Sequence, residues 1–169
     1  MIKHIKCDIF ESGADYICHQ VNCQGVMGSG VAKQVRERCP VVYEHYKRWC
    51  DVMPKDNLLG QAQFVKTQEE HHTSFKGIVN LFAQYNYGYD GKCYTDYDAL
   101  RNALTFFKSY LLTKPTIAIP YLMGCHRGGG DWNVVYTMIE EVFADYDGDV
   151  LICEYNGGLM LCLQKQQNN

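Results

Sequence analysis

The chain has 169 residues, of which 47% are hydrophobic and 21% are charged, and its formal net charge is -3. This length suits one domain with a sizeable core, and the composition excludes an intrinsically disordered chain. Because no block of lysines and arginines is present, the sequence lacks the electrostatic footprint of a protein that binds duplex nucleic acid. No apolar run is long enough to cross a bilayer.

Nine cysteines and six histidines raise the question of a metal site or a disulfide framework. They form no C-x-x-C pair and no zinc-finger spacing, the number of cysteines is odd, and no signal peptide precedes them. We therefore expect reduced core cysteines in a cytoplasmic (intracellular) protein, with no metal and no cofactor. The pair His71 and His72 is better explained by a solvated loop than by a metal.

The first half of the chain predicts two strands and two helices. Residues 1–7 and 16–21 alternate or are apolar throughout, as strands do, whereas 31–39 and 41–50 show helical spacing. Asp8 follows the first strand directly, where it is either a turn cap or an acceptor for an exocyclic amine.

The second half predicts four more strands and two more helices. Residues 61–67 and 77–83 are strands with only a polar loop between them, which predicts an adjacent β pair. The remaining predicted elements are a helix over 96–112 capped by Thr95, a strand over 116–122, a helix from Asp131 to about Tyr146, a strand over 149–155, and a tail over 157–169 with a possible edge strand and a frayed end.

The most informative stretch is residues 22–32, with the sequence NCQGVMGSGVA. It lies between a predicted strand and a predicted helix, so it brings unpaired backbone N–H groups and the positive end of a helix dipole to one point. Proteins bind phosphate in this way, and we interpret the stretch as a phosphate-binding loop. Its glycine spacing matches neither the dinucleotide fingerprint nor the P-loop.

A second glycine-rich loop, residues 123–130, follows a predicted strand and leads into the helix that Asp131 begins. Strands that alternate with helices, together with one adjacent β pair, predict a single three-layer α/β/α domain with a central mixed sheet over residues 1–169. In such sheets ligands bind beyond the carboxyl ends of the strands, so we expect both loops to face one crevice.

The segment 84–94 contains four tyrosines among turn residues. Exposed aromatic side chains on a loop can stack on a ligand or partner, including single-stranded nucleic acid, or can close a lid by packing on one another.

In their order and spacing, these blocks resemble the macro domains, which bind ADP-ribose. The resemblance rests on residues 7–10, on Asn22 with the loop 25–32, and on residues 119–132. It implies that Asp8 and Ile9 hold the adenine, that Asn22 orients the distal ribose, and that Tyr155 or Asn156 flanks the adenine. It assigns the distal ribose and diphosphate to two loops, whose predicted ligand-binding residues are Gly25, Val26, Met27, Gly28, Ser29, Gly30 and Val31 in the first and Gly124, Cys125, His126, Arg127, Gly128, Gly129 and Gly130 in the second.

Within the family, the loops look closest to the branch of terminal ADP-ribose-protein glycohydrolases, antitoxins that remove ADP-ribose from DNA, and ADP-ribose-1''-phosphate phosphatases. The glycohydrolases attack the sugar with a lysine after the fourth strand, assisted by an aspartate in the second loop. Here Ala83 or Gln84 holds the first position and Gly128 the second. The phosphatases carry a histidine in the strand before the first loop, which His19 matches.

The resemblance therefore implies a protein that binds ADP-ribose and hydrolyses a group at its distal ribose, either a phosphate or a link to protein or nucleic acid. The alternative is a binding module without turnover. The predicted catalytic side chains are Asn22, His19, His126 and Asp131. His19 is expected to act as a general base or phosphate contact, or only to form a structural hydrogen bond, and Asp131 is also expected to cap a helix.

Overall fold

The computed structural model describes residues 1–67 and 74–155. Within them, six strands and five α-helices alternate, and a short 3₁₀ turn covers Ile9–Glu11. The strands are β1 (Ile2–Lys6), β2 (Tyr16–Asn22), β3 (Ala62–Lys66), β4 (Gly77–Gln84), β5 (Ile117–Pro120) and β6 (Val150–Glu154). The helices are α1 (Gly30–Arg38), α2 (Pro40–Val52), α3 (Lys55–Leu58), α4 (Tyr97–Ser109) and α5 (Trp132–Val142).

The strands form one mixed sheet in the order β1-β6-β5-β2-β4-β3. Every neighbouring pair is parallel except β3 and β4, which are antiparallel and correspond to the predicted adjacent β pair. Strands β2 and β5 are direct neighbours, with Tyr16 opposite Ile117. Because they run in the same direction, the two glycine-rich loops that follow them leave the sheet at the same edge.

Helices cover both faces of the sheet and give the predicted three-layer α/β/α architecture. Helices α1, α2 and α3 bury Val35, Tyr46 and Leu58 against one face. Helices α4 and α5 bury side chains such as Leu104 and Ile139 against the other. Alternate residues of each strand supply the two cores because side chains in a strand point to opposite faces in turn.

The helices differ from the sequence prediction in several of their boundaries and in one additional helix. Helix α4 begins at Tyr97 with Asp96 as its cap, whose side chain accepts a 2.9 Å hydrogen bond from the Ala99 N–H. The predicted cap Thr95 instead donates its hydroxyl to the Gly124 carbonyl at 2.7 Å. Helix α5 ends at Val142, earlier than predicted, and the short helix α3 was not predicted at all. The possible edge strand in the tail and the histidine pair at 71 and 72 lie outside the described residues.

Across the two described segments, 1–67 and 74–155, no helix is long and apolar enough to span a membrane. The eight cysteines in the same segments carry free thiols, and five of them are buried. Burial raises the pKa of the Cys23 thiol to about 12, so this thiol stays protonated at neutral pH.

Candidate functional site

A cleft opens at the carboxyl ends of β2 and β5, between the two glycine-rich loops. Backbone and neutral side chains dominate its lining, and no carboxylate or lysine of the described residues contributes to it. An anion that enters the cleft therefore meets no fixed negative charge. The lining residues are His19, Gln20, Val21, Asn22, Val26, Gly28, Ser29, Gly30, Val31, Ala32, Gln84, Tyr87, Gly88, Tyr89, Pro120, Tyr121, Leu122, Met123, Gly124, His126, Arg127 and Gly128.

Asn22 holds the first glycine-rich loop in shape. Its side-chain oxygen accepts hydrogen bonds from the N–H groups of Gln24 at 2.9 Å and Val26 at 3.3 Å. Its amide nitrogen donates to the Val26 carbonyl at 2.7 Å. The hydroxyl of buried Tyr46 approaches the same side-chain oxygen at 2.9 Å. One hydrogen of the Asn22 amide is left for a ligand, so the side chain can both build the loop and contact a sugar.

The amino end of α1 faces the cleft without a side-chain cap. Ser29 occupies the cap position but makes no side-chain hydrogen bond there, and the first turn contains no acidic residue. The first helical hydrogen bond runs from the Lys33 N–H to the Ser29 carbonyl at 3.1 Å. The preceding N–H groups therefore have no partner within the helix, and together with the helix dipole they favour a bound anion.

The second glycine-rich loop folds back on itself at Gly128. The Gly128 carbonyl accepts from the N–H groups of Tyr94 at 2.7 Å and Thr95 at 2.9 Å. A Cβ atom at position 128 would lie 2.3 Å from both the Gly124 carbonyl oxygen and the Thr95 hydroxyl. Only glycine fits there in this loop conformation, and the aspartate that the glycohydrolase pattern would require does not.

His19 lies at the floor of the cleft and is only 1% exposed. Its Nε2 atom lies 2.6 Å from the Oδ1 atom of Asn80, whereas Nδ1 has no hydrogen-bond partner among the described residues. Burial lowers the pKa of His19 to about 4, although the hydrogen bond to Asn80 acts in the opposite direction. The imidazole is therefore neutral at physiological pH.

A row of polar side chains continues from His19 across the neighbouring strands. Asn80 on β4 stands opposite both His19 on β2 and Gln63 on β3. The Asn80 Nδ2 atom donates to Gln63 Oε1 at 2.9 Å, and Gln63 Nε2 donates to the backbone carbonyl of His45 at 3.0 Å. We call the three side chains of His19, Asn80 and Gln63 the polar row. All three are buried.

The tyrosine-rich segment lies along the rim of the cleft. Tyr87 and Tyr89 line it while remaining 44% and 66% exposed. The guanidinium of Arg127 lies 4.7 Å from the centre of the Tyr89 ring, in the arrangement of a cation–π contact. This contact joins the tyrosine-rich segment to the second glycine-rich loop.

Of the loop residues predicted to bind the ligand, some line the cleft and others do not. Ten line it: Asn22, Val26, Gly28, Ser29, Gly30, Val31, Gly124, His126, Arg127 and Gly128. Five lie behind that surface: Gly25, Met27, Cys125, Gly129 and Gly130. Asp131 does not line the cleft either, and its side chain accepts a 2.8 Å hydrogen bond from the Asn133 N–H as the cap of α5. This carboxylate is therefore engaged as a helix cap outside the cleft lining.

The residues predicted to hold adenine lie outside the cleft lining. One oxygen of Asp8 accepts from the Phe10 N–H at 3.0 Å, and the other lies 2.8 Å from the Arg38 guanidinium. Arg38 also lies over the Phe10 ring, 4.5 Å from its centre. Ile9 is buried and Tyr155 is 61% exposed, while Asn156 is outside the described residues.

Sequence reasoning did not single out several residues of the site. Gln84 ends β4, and Gln20 lies two residues before the end of the neighbouring parallel strand β2, positions that could have marked them as cleft residues. Leu122 has a φ of 60°, a left-handed conformation that is uncommon for a residue other than glycine. Asn80 and Gln63 meet His19 only through strand pairing, which the sequence does not reveal. No group of three or more potential metal ligands occurs within residues 1–67 and 74–155.

Comparison with known sequences identifies relatives of known activity. No family model matches the chain. A 17.5 kDa protein from the tk-vs intergenic region of Enterobacteria phage T4 is 30% identical over 149 residues, covering 83% of this chain and 88% of the phage protein. A DNA ADP-ribosyl glycohydrolase of Mycobacterium tuberculosis is 27% identical over 94% of this chain. An ADP-ribose 1''-phosphate phosphatase of Neosartorya fischeri is 32% identical over 46% of it.

The chain spans less than half of the two enzymes, 43% of the glycohydrolase and 39% of the phosphatase. Among solved structures, the macrodomain of Mycobacterium tuberculosis DarG is 25% identical with a TM-score of 0.74, covering 90% of this chain and 97% of that one. Thermosipho africanus DarTG in complex with ADP-ribose is 20% identical with a TM-score of 0.75, covering 90% of this chain and 41% of that one. With the mixed sheet, the two loops at one edge and these similarities taken together, the chain belongs to the macro domain family.

Proposed function

We propose that this protein binds ADP-ribose in the cleft and hydrolyses the bond between its distal ribose and an attached group, with ADP-ribosylated DNA as the first substrate class to test. One observation carries the proposal. A single cleft combines the uncapped amino end of α1, suited to a diphosphate, with a neutral buried histidine that has an unpaired ring nitrogen.

The charge distribution suits a diphosphate. The N–H groups of the first turn of α1 have no partner within the helix. Arg127 is the one arginine among the described lining residues, and no carboxylate of these residues opposes an anion there. Binding through backbone groups agrees with the net charge of -3, because it requires no cluster of basic side chains. By resemblance, the adenine would extend past the cleft toward Asp8, whose oxygens can still accept another hydrogen bond.

The chemistry we propose is attack by a water molecule on the anomeric carbon of the distal ribose. The bond from this carbon to the attached group breaks, and the group departs with a proton from the water. Storing that proton on His19 at pH 7 would cost about 4 kcal/mol, since its pKa is about 4. His19 therefore serves to accept a hydrogen bond and orient the water rather than to hold the proton.

An attack by lysine on the sugar does not fit the residues in place. The position at the end of β4 that would carry the lysine holds Ala83 or Gln84, and the position that would carry the assisting aspartate holds Gly128, where a Cβ atom has no room. Water is therefore the nucleophile that this cleft can accommodate.

Two observations favour ADP-ribosylated DNA over ADP-ribose 1''-phosphate as the substrate. The similarity to the DNA ADP-ribosyl glycohydrolase runs over 94% of the chain, whereas that to the phosphatase covers 46%. In addition, Tyr87 and Tyr89 are exposed at the rim, where aromatic rings can stack on unpaired bases. Phosphatase activity remains the second candidate because His19 occupies the position of the phosphatase histidine.

The test combines a binding and a turnover measurement on the full chain. We expect isothermal titration to show binding of ADP-ribose that is tighter than binding of AMP. We then expect release of free ADP-ribose from an ADP-ribosylated single-stranded oligonucleotide, with no phosphate release from ADP-ribose 1''-phosphate in a parallel reaction. Phosphate release alone would establish the second candidate, and binding without either product would establish a binding module.

Substitution of His19 tests whether ligand binding and turnover depend on different groups. We expect His19→Leu to retain ADP-ribose binding while turnover falls by about 100-fold or more. His4→Gln, which changes an exposed histidine on β1 away from the cleft, is the matched control and should behave as the wild type. Equal loss of binding and turnover in His19→Leu would mean that His19 only supports the cleft.

A further inference from the structure

The hydrogen bonds of the polar row have a direction that is fixed at one end. Gln63 contacts the backbone carbonyl of His45, and a carbonyl can only accept. The Gln63 nitrogen must therefore face that carbonyl, which leaves the Gln63 oxygen to accept from Asn80. The Asn80 nitrogen is then the donor, and its oxygen faces His19.

This direction sets the tautomer of His19. Because the Asn80 oxygen is an acceptor, the Nε2 atom of His19 must carry the hydrogen that bridges their 2.6 Å separation. A neutral imidazole has only one N–H, so Nδ1 carries a lone pair and can only accept. Nδ1 is the ring nitrogen without a partner among the described residues, and it is buried, so only a group that reaches the His19 end of the cleft can contact it.

We propose that Asn80 and Gln63 are positioning residues that hold His19 in the Nε2–H tautomer, so that Nδ1 is presented as an acceptor to a hydroxyl or water in the cleft. The proposal rests on the function proposed above and deepens it, because it states what His19 recognises. A lone pair attracts an O–H donor and repels a phosphate oxygen. His19 is therefore not the anion contact that its position in the sequence also allowed.

A second chain of hydrogen bonds in the same cleft follows the same logic. The Thr95 hydroxyl donates to the Gly124 carbonyl at 2.7 Å and so must accept from the Gln20 nitrogen, 2.9 Å away. The Gln20 oxygen is left as an acceptor, and it too has no partner among residues 1–67 and 74–155. Because consecutive side chains of a strand point to opposite faces of the sheet, the Gln20 oxygen and the His19 Nδ1 atom are acceptors on opposite sides of β2, and only His19 belongs to the polar row.

The tautomer can be measured directly, without reference to activity. In the ¹⁵N-labelled full chain, long-range ¹H–¹⁵N correlation distinguishes a protonated ring nitrogen from an unprotonated one, and the His19→Gln variant identifies the His19 signals. We expect one neutral tautomer with the proton on Nε2 at pH 7. A proton on Nδ1, or an even mixture of the two tautomers, would overturn the proposal.

Substitutions at Gln63 test whether the row imposes this tautomer. Gln63→Met removes the acceptor that holds the Asn80 nitrogen, so Asn80 can turn around and we expect the tautomers to mix. Gln63→Glu keeps an oxygen facing Asn80 and, as the protonated acid that burial favours, an O–H donor facing the His45 carbonyl, so it should restore the wild-type tautomer. Val65→Ala, a buried truncation on the same strand and the same face, should lower stability and leave the tautomer unchanged. An unchanged tautomer in Gln63→Met would refute the positioning role.

Ligand titrations in the same experiment test what Nδ1 recognises. ADP-ribose should shift the Nδ1 resonance, whereas sulfate, which has no hydroxyl to donate, should leave it unchanged. A sulfate-induced shift with protonation of both ring nitrogens would show an anion contact and overturn the proposal. If ADP-ribose does not bind at all, the proposed function fails, while the tautomer measurements still decide the role of the polar row.

Turnover provides a further readout once a substrate is established. Because the tautomer governs orientation rather than affinity, Gln63→Met should lower kcat by about tenfold or more with little change in KM. Gln63→Glu and Val65→Ala should retain kcat. A parallel rise of KM in Gln63→Met alone would indicate a distorted cleft instead.

Discussion

At the scale of single residues, several side chains at the cleft also fix the conformation of the two loops that surround it. The Asn22 side chain forms four hydrogen bonds, to Gln24, Val26 and Tyr46, and Thr95 joins the second loop to Gln20. A truncation of either residue would change the shape of the cleft together with its chemistry. His19 is the more informative target, because one of its ring nitrogens is bound to Asn80 and the other has no partner in the part of the chain that the structure describes.

The buried His19 predicts how stability depends on pH. Its pKa is lowered from 6.5 to about 4 in the folded chain, so between these values the unfolded chain binds a proton that the folded chain does not. The free energy of unfolding should therefore fall as pH decreases from 6.5 to 4, by up to about 3 kcal/mol, and the contribution is fully present above pH 6.5. Urea unfolding of the wild type and of His19→Gln at matched pH values measures this difference, since the carboxylates contribute alike to both.

A parallel pH dependence in the two proteins would contradict this prediction. It would mean that His19 gains access to water and protonates in the folded state near its ordinary pKa.

Gly128 supports a second prediction at this scale. In Gly128→Ala the new methyl group would meet the Gly124 carbonyl oxygen and the Thr95 hydroxyl at 2.3 Å, so the second loop must move. We expect at least about 1 kcal/mol of destabilisation and a loss of ADP-ribose binding. Gly13→Ala provides the control because a Cβ atom at Gly13 meets nothing within 4 Å, although its φ of 73° carries its own backbone cost. Retained binding in Gly128→Ala would show that the second loop is more adaptable than its contacts indicate.

At the scale of elements, the amino ends of helices α1 and α5 differ in whether a side chain caps them. Both helices begin just after a glycine-rich loop, but Asp131 caps α5 with its own carboxylate while Ser29 leaves α1 uncapped. The positive end of α1 is thus open to a ligand, and that of α5 is already satisfied. For the proposed ADP-ribose ligand, this difference favours the first loop as the diphosphate site.

The substitution Ser29→Asp separates ligand binding from helix stability. A carboxylate at the helix cap stabilises the helix or leaves it unchanged, but it repels a diphosphate that binds the same N–H groups. We therefore expect an unchanged or raised Tm with at least about a tenfold loss of ADP-ribose affinity. Asn133→Asp adds the same charge to the first turn of α5 outside the cleft, and titration should show wild-type affinity. Full affinity in Ser29→Asp would place the diphosphate elsewhere.

At the scale of the whole molecule, the order of the strands creates the site. Residues 22–32 and 123–130 are about a hundred positions apart in sequence, and they meet because β2 and β5 are parallel neighbours in the centre of the sheet. The tyrosine-rich segment then closes one side, since it follows β4 on the other side of β2. A ligand in the cleft contacts segments from across the fold and should stabilise the folded state as a whole.

Thermal unfolding measures this coupling. At a ligand concentration of 100 times Kd, binding to the folded state alone adds about 2.7 kcal/mol to the free energy of unfolding. For a chain of this size we expect ADP-ribose to raise Tm by about 5 to 10 °C. AMP at the same concentration, and ADP-ribose with the Ser29→Asp variant, should give smaller shifts. An equal shift with AMP would mean that the adenosine end alone is recognised.

The sequence by itself determined the elements that local physics controls. Alternating apolar residues specified the strands, glycines between a strand and a helix specified the two loops, and the carboxylate of Asp131 specified the start of α5. The resemblance of the loops to macro domains was also present in the sequence, and the family assignment is confirmed. The cap of α4 was misplaced by one residue, because the use of the Thr95 hydroxyl depends on Gly124, which is distant in sequence.

Only the tertiary structure decided which side chains act together. The sequence offered His19 as a general base, a phosphate contact or a structural residue, and nothing near it in the chain distinguishes these roles. Its environment is set by strand pairing with Asn80 and Gln63 and by one carbonyl of α2, contacts between residues up to 61 positions apart. Hydrogen bonds across a sheet depend on register and on burial, and a local sequence pattern encodes neither.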